Sequence, residues 1–369
     1  MGRTDSRLAV CEPQDTANQR NSLSDFLPEW WEEPTTYECA EHEEQRMARV
    51  RSVTTRAYQG ANDLPAIVEL ALAHKAATAC ADRPSVAGLR AQLTAPNHDP
   101  RATRLWIDTA GALVAFATLG SASHLLLAIH PGERAPQGRH DALMDAALAW
   151  GLAQATARAQ RLGADVALTV DCVSNDAAYC ERLAAHGFTP RADESVWMTR
   201  ALDESLAPAQ LPTGYRLRSA RDDEADVAAY VALFNEAFAP GSANRMTVAR
   251  RRALMADGAY IPELDLVAEA ADGSLAAFCR ALALTEERER LGRREGRVDH
   301  LAVGQAHRRA GLGRAMLRAG LHALHESGVA QARLRVWASD SAARQLYAAE
   351  GFAECYRVAV YERVVTPTR

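Results

Sequence analysis

The sequence predicts an α/β protein, a mixed α+β sheet fold that occurs twice in tandem. Short apolar, strand-like runs alternate with longer amphipathic helical patterns, as in layered α/β folds. The order of these elements appears twice, and such internal repetition indicates two related units. In the second unit a strand leads through a glycine-bearing turn directly into a long helix. A chain of 369 residues is long enough for two domains of ordinary size.

The two copies share one order of elements: strand, helix, two paired strands, third strand, long helix, fourth strand, short helix and a Gly-Phe pair. The matching segments are 50–56 and 215–219, 63–79 and 222–238, 104–107 and 264–269, 113–119 and 275–283, the strands ending at Ile129 and Val303, 166–170 and 333–337, and Gly187-Phe188 and Gly351-Phe352. Asp272-Gly273 is a typical hairpin turn between the paired strands of the second copy.

These segments place the first copy at 46–203 and the second at 213–369. The linker between them is predicted at 204–212, which contains Pro208 and Pro212. Residues 1–45 begin with a polar stretch without clear periodicity, and we expect a partly disordered N-terminal tail. Its Trp30-Trp31 pair is interpreted as packing on the globular body, with a lid or a dimer contact as the alternative.

Composition and charge bear on which classes of partner the protein can have. A net charge of −5 gives no reason to expect nucleic-acid or anionic-membrane partners. No stretch has the apolar length of a membrane helix, and the N-terminus lacks an apolar signal core. We therefore expect a cytoplasmic protein with no nucleic-acid or membrane partner; a homodimer stays open.

The cysteines favour a reducing compartment. They are odd in number and scattered, without a Cys-x-x-Cys pair, so they fit reduced thiols better than a disulfide framework or a zinc site. No metal is expected. The seven are Cys11, Cys39, Cys80, Cys172, Cys180, Cys279 and Cys355.

The most informative segment is the turn that follows the apolar run Leu301-Ala302-Val303. Gly311 and Gly313 stand two apart at the start of a helical pattern that runs from residue 312 to about 325. The first turn of a helix has backbone N–H groups without intrahelical partners and a partial positive charge, so it attracts phosphate. Glycine leaves room for an anion to approach the backbone. The segment therefore predicts a site for a phosphorylated cofactor.

Two common phosphate-binding motifs do not fit this turn. A dinucleotide fold would require three glycines and an acidic residue about 20 residues further on. A nucleoside-triphosphate loop would require Gly-Lys-Ser/Thr, whereas Gly313 is followed by Arg314. What remains is Arg-x-x-Gly-x-Gly after a strand that ends in Val303.

A second block follows the strand 333–337. Ala343, Leu346 and Tyr347 precede Gly351-Phe352 in the pattern Asn-x-x-Ala-x-x-Leu-Tyr, then three residues, then Gly-Phe, with Asp340 in place of Asn. Together the two blocks resemble the GCN5-related N-acetyltransferase (GNAT) family over roughly residues 213–365. Gln305 and Arg309 depart from the family, which often has Pro and Gly there, but both turn glycines are kept.

The resemblance implies acetyl-CoA as co-substrate. It places the pantetheine and thioester on the backbone of the third strand, and the pyrophosphate at the glycine turn. The residues implied in binding are Leu301, Ala302, Val303, Arg308, Arg309, Ala310, Gly311, Leu312, Gly313, Arg314 and Asp340. For Asp340 two roles are open, contact with the pantetheine arm or capping of the helix that follows.

The resemblance also implies that Tyr347 donates a proton to the CoA sulfur, with a core aromatic residue as the alternative. A phenol with a pKa near 10 is protonated at neutral pH. Asp299 and His300 are candidates for the base that removes the proton from the amine. Because side chains alternate along a strand, we expect only one of them to face the substrate. Either could instead be an ordinary paired polar residue, and many family members use an ordered water.

The first copy departs from the family pattern. Arg134 matches the family's arginine, but Gln137 and Arg139 stand at the glycine positions, and Pro136 lacks an N–H. Leu183 occupies the position of Tyr347. We interpret the first copy as degenerate and structural; a copy that binds cofactor without catalysis is the alternative.

Outside these motifs, the mixed charge run at 286–295 is predicted to be a solvated hairpin loop, or else one wall of the acceptor site. Residues 238–242 and 260–262 are the segments in which acceptor specificity is expected, and fold alone does not fix it.

The function expected from these observations is transfer of an acetyl group to the primary amine of a small molecule. Mycothiol synthase-like acetyltransferases have a similar tandem arrangement and are one alternative. A non-catalytic acyl-CoA-binding regulatory protein is another.

Overall fold

The computed structural model describes residues 53–78, 85–95, 98–120, 123–135, 138–238 and 245–367. The predicted tail at 1–45, with Trp30 and Trp31, lies outside the described residues, as do Pro136 and Gln137. So does 239–244, which includes most of one segment expected to select the acceptor. Within the described residues, no helix has the length and apolar character needed to cross a membrane.

The described residues form twelve strands and nine helices. The strands are β1 Thr54–Ala57, β2 Thr103–Ile107, β3 Leu113–Leu119, β4 Leu125–Ile129, β5 Val166–Val173, β6 Thr189–Ala201, β7 Tyr215–Ser219, β8 Asp265–Ala270, β9 Leu275–Ala283, β10 Glu295–Val303, β11 Gln331–Trp337 and β12 Ala353–Val365. The helices are α1 Leu64–Ala77, α2 Val86–Thr94, α3 His140–Leu162, α4 Ala177–Ala185, α5 Glu224–Phe238, α6 Val248–Met255, α7 Thr285–Leu291, α8 Leu312–Glu326 and α9 Ser341–Ala349.

The repeat predicted from the sequence is present in the order of these elements. β2–β4, α3, β5 and α4 of the first copy correspond to β8–β10, α8, β11 and α9 of the second. Even the helix caps match, because Asp176 accepts a hydrogen bond from the Tyr179 N–H (3.1 Å) and Asp340 accepts one from the Ala343 N–H (3.0 Å).

The last strands of the two copies are exchanged. The strands form a four-stranded sheet, β1-β2-β3-β4, and an eight-stranded sheet, β5-β12-β6-β11-β10-β9-β8-β7. Strand β6 of the first copy therefore lies between β11 and β12 of the second, and β12 lies between β5 and β6. All three of these pairings around β6 and β12 are antiparallel. A shared sheet of this kind makes the two copies interdependent.

The apolar core has two main clusters, one beneath the long helix of each copy. In the second copy, α8 buries Leu312, Met316, Leu317, Leu321 and Leu324 against the large sheet. Burial of such a stripe is what holds an amphipathic helix on a sheet. In the first copy, α3 and α4 pack on β3–β5, and Leu183 is fully buried there.

The prediction of a solvated loop at 286–295 is wrong. Residues 285–291 form α7, which packs against α1 and α2 of the first copy. Lys75 and Glu287 make a buried ion pair of 2.8 Å across this contact, and Glu287 also accepts the Val86 N–H at 3.0 Å. The charge pattern could not reveal this partner, because Lys75 is more than 200 residues away in the chain.

In both copies the third and fourth strands separate. Strand β10 pairs with β11 only from Glu295 to Val298. A bulge follows, because the register with β9 shifts between Val298 and His300. In the first copy a single bridge, between His124 and Thr169, joins the β4 and β5 regions. Each copy thus has an open cleft in its sheet.

Candidate functional site

One cavity of about 1090 Å³ is lined by both clefts. On the second-copy side its walls include Leu301, Asp340 and Tyr347. On the first-copy side they include Leu127, Met144, Tyr179 and His124. A volume of this order suits a small molecule together with part of a cofactor.

The glycine turn lies at the N-terminus of α8. Gly311 is the N-cap residue and has φ +84°, a backbone conformation that glycine adopts without strain. Gly313 has no such backbone requirement. A Cβ added there would make only ordinary van der Waals contacts, at 3.6 Å from Val303 and 3.8 Å from Leu346. The fold therefore does not require glycine at 313. The space in front of it suits an external group that approaches the backbone, so the turn fits a phosphate.

Arg309 also adopts a left-handed conformation, with φ +67°. Such a conformation is unfavourable for a side chain of this kind. It explains why the resembled family often has glycine at this position. Arg308, Arg309 and Ala310 are all exposed at the turn, so the two guanidinium groups can add positive charge beside a phosphate.

The other implied binding residues have more limited roles. Leu312 is buried in the core, which leaves only its backbone N–H for a ligand. Arg314 pairs with Glu350 at 3.0 Å, so its charge is already partly compensated. Arg308 donates to the Val303 carbonyl oxygen at 3.3 Å, which links the turn to the end of β10.

The segment Leu301–Val303 pairs with β9 and not with β11. Its partners are Cys279, Phe278 and Ala277. The opposite edge of this segment therefore faces the cleft with backbone groups that no strand engages. This is the arrangement that backbone recognition of an extended amide chain requires.

Tyr347 lies on α9 and is largely buried, and it lines the cavity. Its ring packs edge-on against Phe352 with centroids 6.0 Å apart. Burial, with smaller contributions from nearby Cys279 and Asp340, raises the pKa of Tyr347 to about 12. The phenol thus keeps its proton at neutral pH and has one to donate.

Asp299 is the bulged residue of β10 and lines the cavity. Its carboxylate contacts Arg280 at 2.5 Å and Arg297 at 2.8 Å. Burial would raise the pKa of Asp299, but the charges of Arg297, His300 and Arg280 outweigh it and hold the pKa far below its usual range. A carboxylate of this kind accepts protons poorly.

His300 is not among the residues that line the cavity. It packs against Phe234 and Phe238, with ring centroids 5.1 and 5.4 Å away. Its Nδ1 lies 3.0 Å from Asp299. Of the two candidate bases, the cavity lining thus includes Asp299 and not His300, and the expectation that only one of them faces the substrate stays a prediction.

Asp340 caps α9 through the Ala343 N–H and also lines the cavity. Of the two roles left open for it, capping is therefore present in the structure, and contact with a bound cofactor stays a prediction.

In the first copy, an internal carboxylate occupies the start of the corresponding helix. Glu133 accepts from the Arg139 backbone N–H at 3.3 Å and from its guanidinium at 2.9 Å. Arg139 is the N-cap residue of α3. A Cβ on Gly138 would lie 1.8 Å from the Glu133 carbonyl oxygen, so that glycine serves internal packing. The Glu133 carboxylate thus lies where a phosphate would approach this helix, although His140 and Asp141 at its start still line the cavity.

Comparison with known protein families assigns the second copy to a family. Residues 217–352 match the sequence model of the acetyltransferase (GNAT) family. The chain contains a GNAT-family domain. Members of this family are acyl-CoA-dependent acyltransferases, so the prediction of an acyltransferase is confirmed by family. No curated protein sequence matches the chain.

Solved structures of tandem GNAT architecture match most of the chain. A GCN5-related N-acetyltransferase from Sphaerobacter thermophilus is 21 % identical, with a TM-score of 0.62 over 86 % of this chain and 97 % of that one. A tandem GNAT protein from the clavulanic acid biosynthesis pathway is 18 % identical, with the same TM-score over 86 % of this chain and all of that one. These likenesses confirm the tandem fold. They do not show similarity to mycothiol synthase.

The fold is also similar to that of an enzyme named for a larger acyl group. A Saccharomyces cerevisiae N-myristoyltransferase structure with bound myristoyl-CoA is 12 % identical, with a TM-score of 0.55 over 86 % of this chain and 80 % of that one. At this identity the match concerns the fold alone.

Sequence reasoning missed the first-copy side of the cavity. His124, Met144 and Tyr179 belong to no motif, and only the shared sheet brings them opposite Tyr347. It also missed Arg280 and Arg297. For Arg297 a signal existed, since Arg297-x-Asp299 places an opposite charge two residues away on a strand.

Proposed function

We propose that the protein transfers the acetyl group of acetyl-CoA to the primary amine of a small molecule, and that the second copy carries the reaction. One observation supports this most strongly. The unpaired edge of β10 and the buried phenol of Tyr347 border one cavity, and the glycine turn follows the end of β10 directly in the same GNAT domain.

In the proposed reaction, a neutral amine attacks the thioester carbonyl carbon, and a C–N bond forms. Backbone N–H groups along Leu301–Val303 are suited to stabilise the oxyanion that develops. The C–S bond then breaks, and Tyr347 gives its proton to the departing thiolate. The phenolate recovers a proton from the ammonium that the attack has produced, through solvent in the cavity.

The proton acceptor for the amine is proposed to be water. Asp299 has a pKa far below its usual range, and two arginines hold it, so it is suited to orient groups rather than to take protons. His300 lies 3.0 Å from Asp299 and is not among the residues that line the cavity. Both residues thus serve this proposal as positioning groups.

We assign the acceptor to the first-copy side of the cavity. Glu133 fills the helix start at which a phosphate would bind there, so the first-copy cleft is not suited to CoA. The same cleft is nevertheless open and continuous with Tyr347. A cavity of about 1090 Å³ shared with the cofactor favours a small acceptor over a folded protein.

A thiol-release assay tests the function. Full-length protein is mixed with acetyl-CoA and a panel of amines of different size and charge, and released CoA thiol is measured. We expect release that depends on at least one amine, and a matched loss in Gly311→Glu. Tight acetyl-CoA binding without amine-dependent release would instead favour the regulatory alternative.

A further inference from the structure

Two cysteines that are separated in the sequence meet in the first copy. Cys172 lies near the end of β5 and Cys180 lies on α4. Their Sγ atoms are 3.0 Å apart. This is about 1 Å longer than a disulfide bond, which measures roughly 2.0 Å. Non-bonded thiols normally stay further apart, so little movement separates this pair from bond formation.

The surroundings hold the two thiols in place. Asp176 caps α4 in the short connection between them, and the Ser174 N–H donates to the Arg357 carbonyl oxygen at 2.9 Å. Cys172 is almost completely buried, whereas Cys180 is partly accessible. A hydrogen bond with Cys180, with burial, raises the pKa of the Tyr361 phenol to about 12, which shows close packing from β12 as well. The partly exposed thiol is thus backed by a buried one.

We propose that Cys172 and Cys180 form an intramolecular disulfide when a hydroperoxide oxidises the protein. The thiolate of Cys180, the more accessible residue, attacks a peroxide oxygen, which gives a sulfenic acid and water. The Cys172 thiol then attacks that sulfur, the S–S bond forms and a second water leaves. The protein loses two electrons and two protons, and hydrogen peroxide is reduced to two waters. A dithiol reductant reverses the step.

The disulfide would constrain one wall of the cavity. Val173, Asp176 and Tyr179 lie between the two cysteines in the sequence, and all three line the cavity. The glycine turn of the second copy does not contain either cysteine. We therefore expect oxidation to leave acetyl-CoA affinity unchanged, and the disulfide itself does not depend on the proposed function.

Peptide mapping of the full-length protein tests the inference. After treatment with hydrogen peroxide the protein is denatured, iodoacetamide blocks the remaining thiols, and trypsin leaves both cysteines in one peptide, 162–182. We expect this peptide to lack two hydrogen atoms and to resist alkylation. Further cleavage before aspartate places Cys172 in 171–175 and Cys180 in 176–182, and these two pieces should separate only after reduction.

Matched cysteines and variants make the result decisive. Cys355 is exposed, and no other cysteine of the described residues lies against it, so it should be alkylated or oxidised without an internal link. In Cys180→Ser, the form of peptide 162–182 that lacks two hydrogen atoms should be absent, and Cys172 should be alkylated. The inference is overturned if both thiols are recovered alkylated at a peroxide dose that oxidises Cys355, or if either cysteine is linked to a different one.

Discussion

Tyr347 combines two properties that an acid in the proposed reaction needs. Its side chain is mostly withdrawn from water, and it still borders the cavity. The pKa of about 12 means that the phenol is protonated throughout the neutral and moderately alkaline range. Because this pKa lies above the unfolded value of about 10, any stability linked to it is present below about pH 10 and is lost above.

Replacing Tyr347 by Phe removes only the hydroxyl. We predict that Tyr347→Phe binds acetyl-CoA normally but turns over roughly 10²–10⁴-fold more slowly, the usual range for a positioned acid. Steady-state kinetics and calorimetry together check this. Tyr230→Phe is the control, since it deletes a buried phenol oxygen outside the cavity lining and should keep its turnover. Near-normal turnover of Tyr347→Phe would mean that solvent protonates the thiolate.

At the same scale, the sequence could identify residues but not their surroundings. The Gly311, Gly313 and Tyr347 motifs depend on local spacing, so the sequence was sufficient to find them. The environment of Asp299 depends on a bulge and on Arg280 of the neighbouring strand. Strand alternation assumes a regular ladder, and the bulge at this position breaks that assumption.

Helix α7 is the element whose role depends most on distant partners. It carries two ion pairs to α1: Lys75–Glu287 is buried, whereas Glu69–Arg290, at 2.6 Å, is about half exposed on both sides. Removing one partner of a buried ion pair destabilises the fold more than removing one of an exposed pair, because no water solvates the charge that remains. Lys75 is also the single lysine of the chain.

We predict that Glu287→Gln costs about 3–5 kcal/mol of unfolding free energy, because it leaves the Lys75 ammonium buried without its counter-charge. The control Glu69→Gln should cost about 0–1 kcal/mol. Urea denaturation of both variants checks the difference. Equal costs would show that the buried pair does not stabilise the contact between the copies.

The same pair should influence acid stability. Burial would raise the pKa of Glu287, but Lys75 and the Val86 N–H lower it below its usual value. Its contribution is therefore present above about pH 4.3, the ordinary glutamate value, and is lost as the pH falls through the lower folded pKa. In Glu287→Gln that part of the acid dependence should be absent.

For the molecule as a whole, the exchange of β6 and β12 is the feature that the sequence did not predict. The repeat showed two similar copies, and the strands and long helices that make up the repeat follow from local patterns. Strand pairing between copies is non-local, and no strand was predicted at 189–201 or 353–365, which follow the Gly-Phe pair that ends each predicted copy. The sequence thus predicted the units and not how they share a sheet.

This exchange predicts the behaviour of an isolated second copy. A fragment of residues 205–369 lacks β6, which normally separates β11 from β12, and it leaves sheet edges and apolar surface uncovered. We expect an aggregation-prone or weakly active fragment in size-exclusion chromatography and thiol-release assays. Co-expression of 1–204 with 205–369 is the control, and the two pieces should co-purify. A soluble, fully active fragment would show that the first copy is dispensable.

The central claim is that one cofactor site, at the glycine turn of the second copy, serves the whole protein. Calorimetric titration with acetyl-CoA tests it most directly. We predict one acetyl-CoA per chain and unchanged affinity in Arg134→Ala. Gly313→Ala, whose new methyl group the fold accommodates, should bind at least about tenfold more weakly, or about 1.4 kcal/mol, and Gly311→Glu should abolish binding. Two molecules bound per chain, or wild-type affinity in Gly311→Glu, would contradict the account.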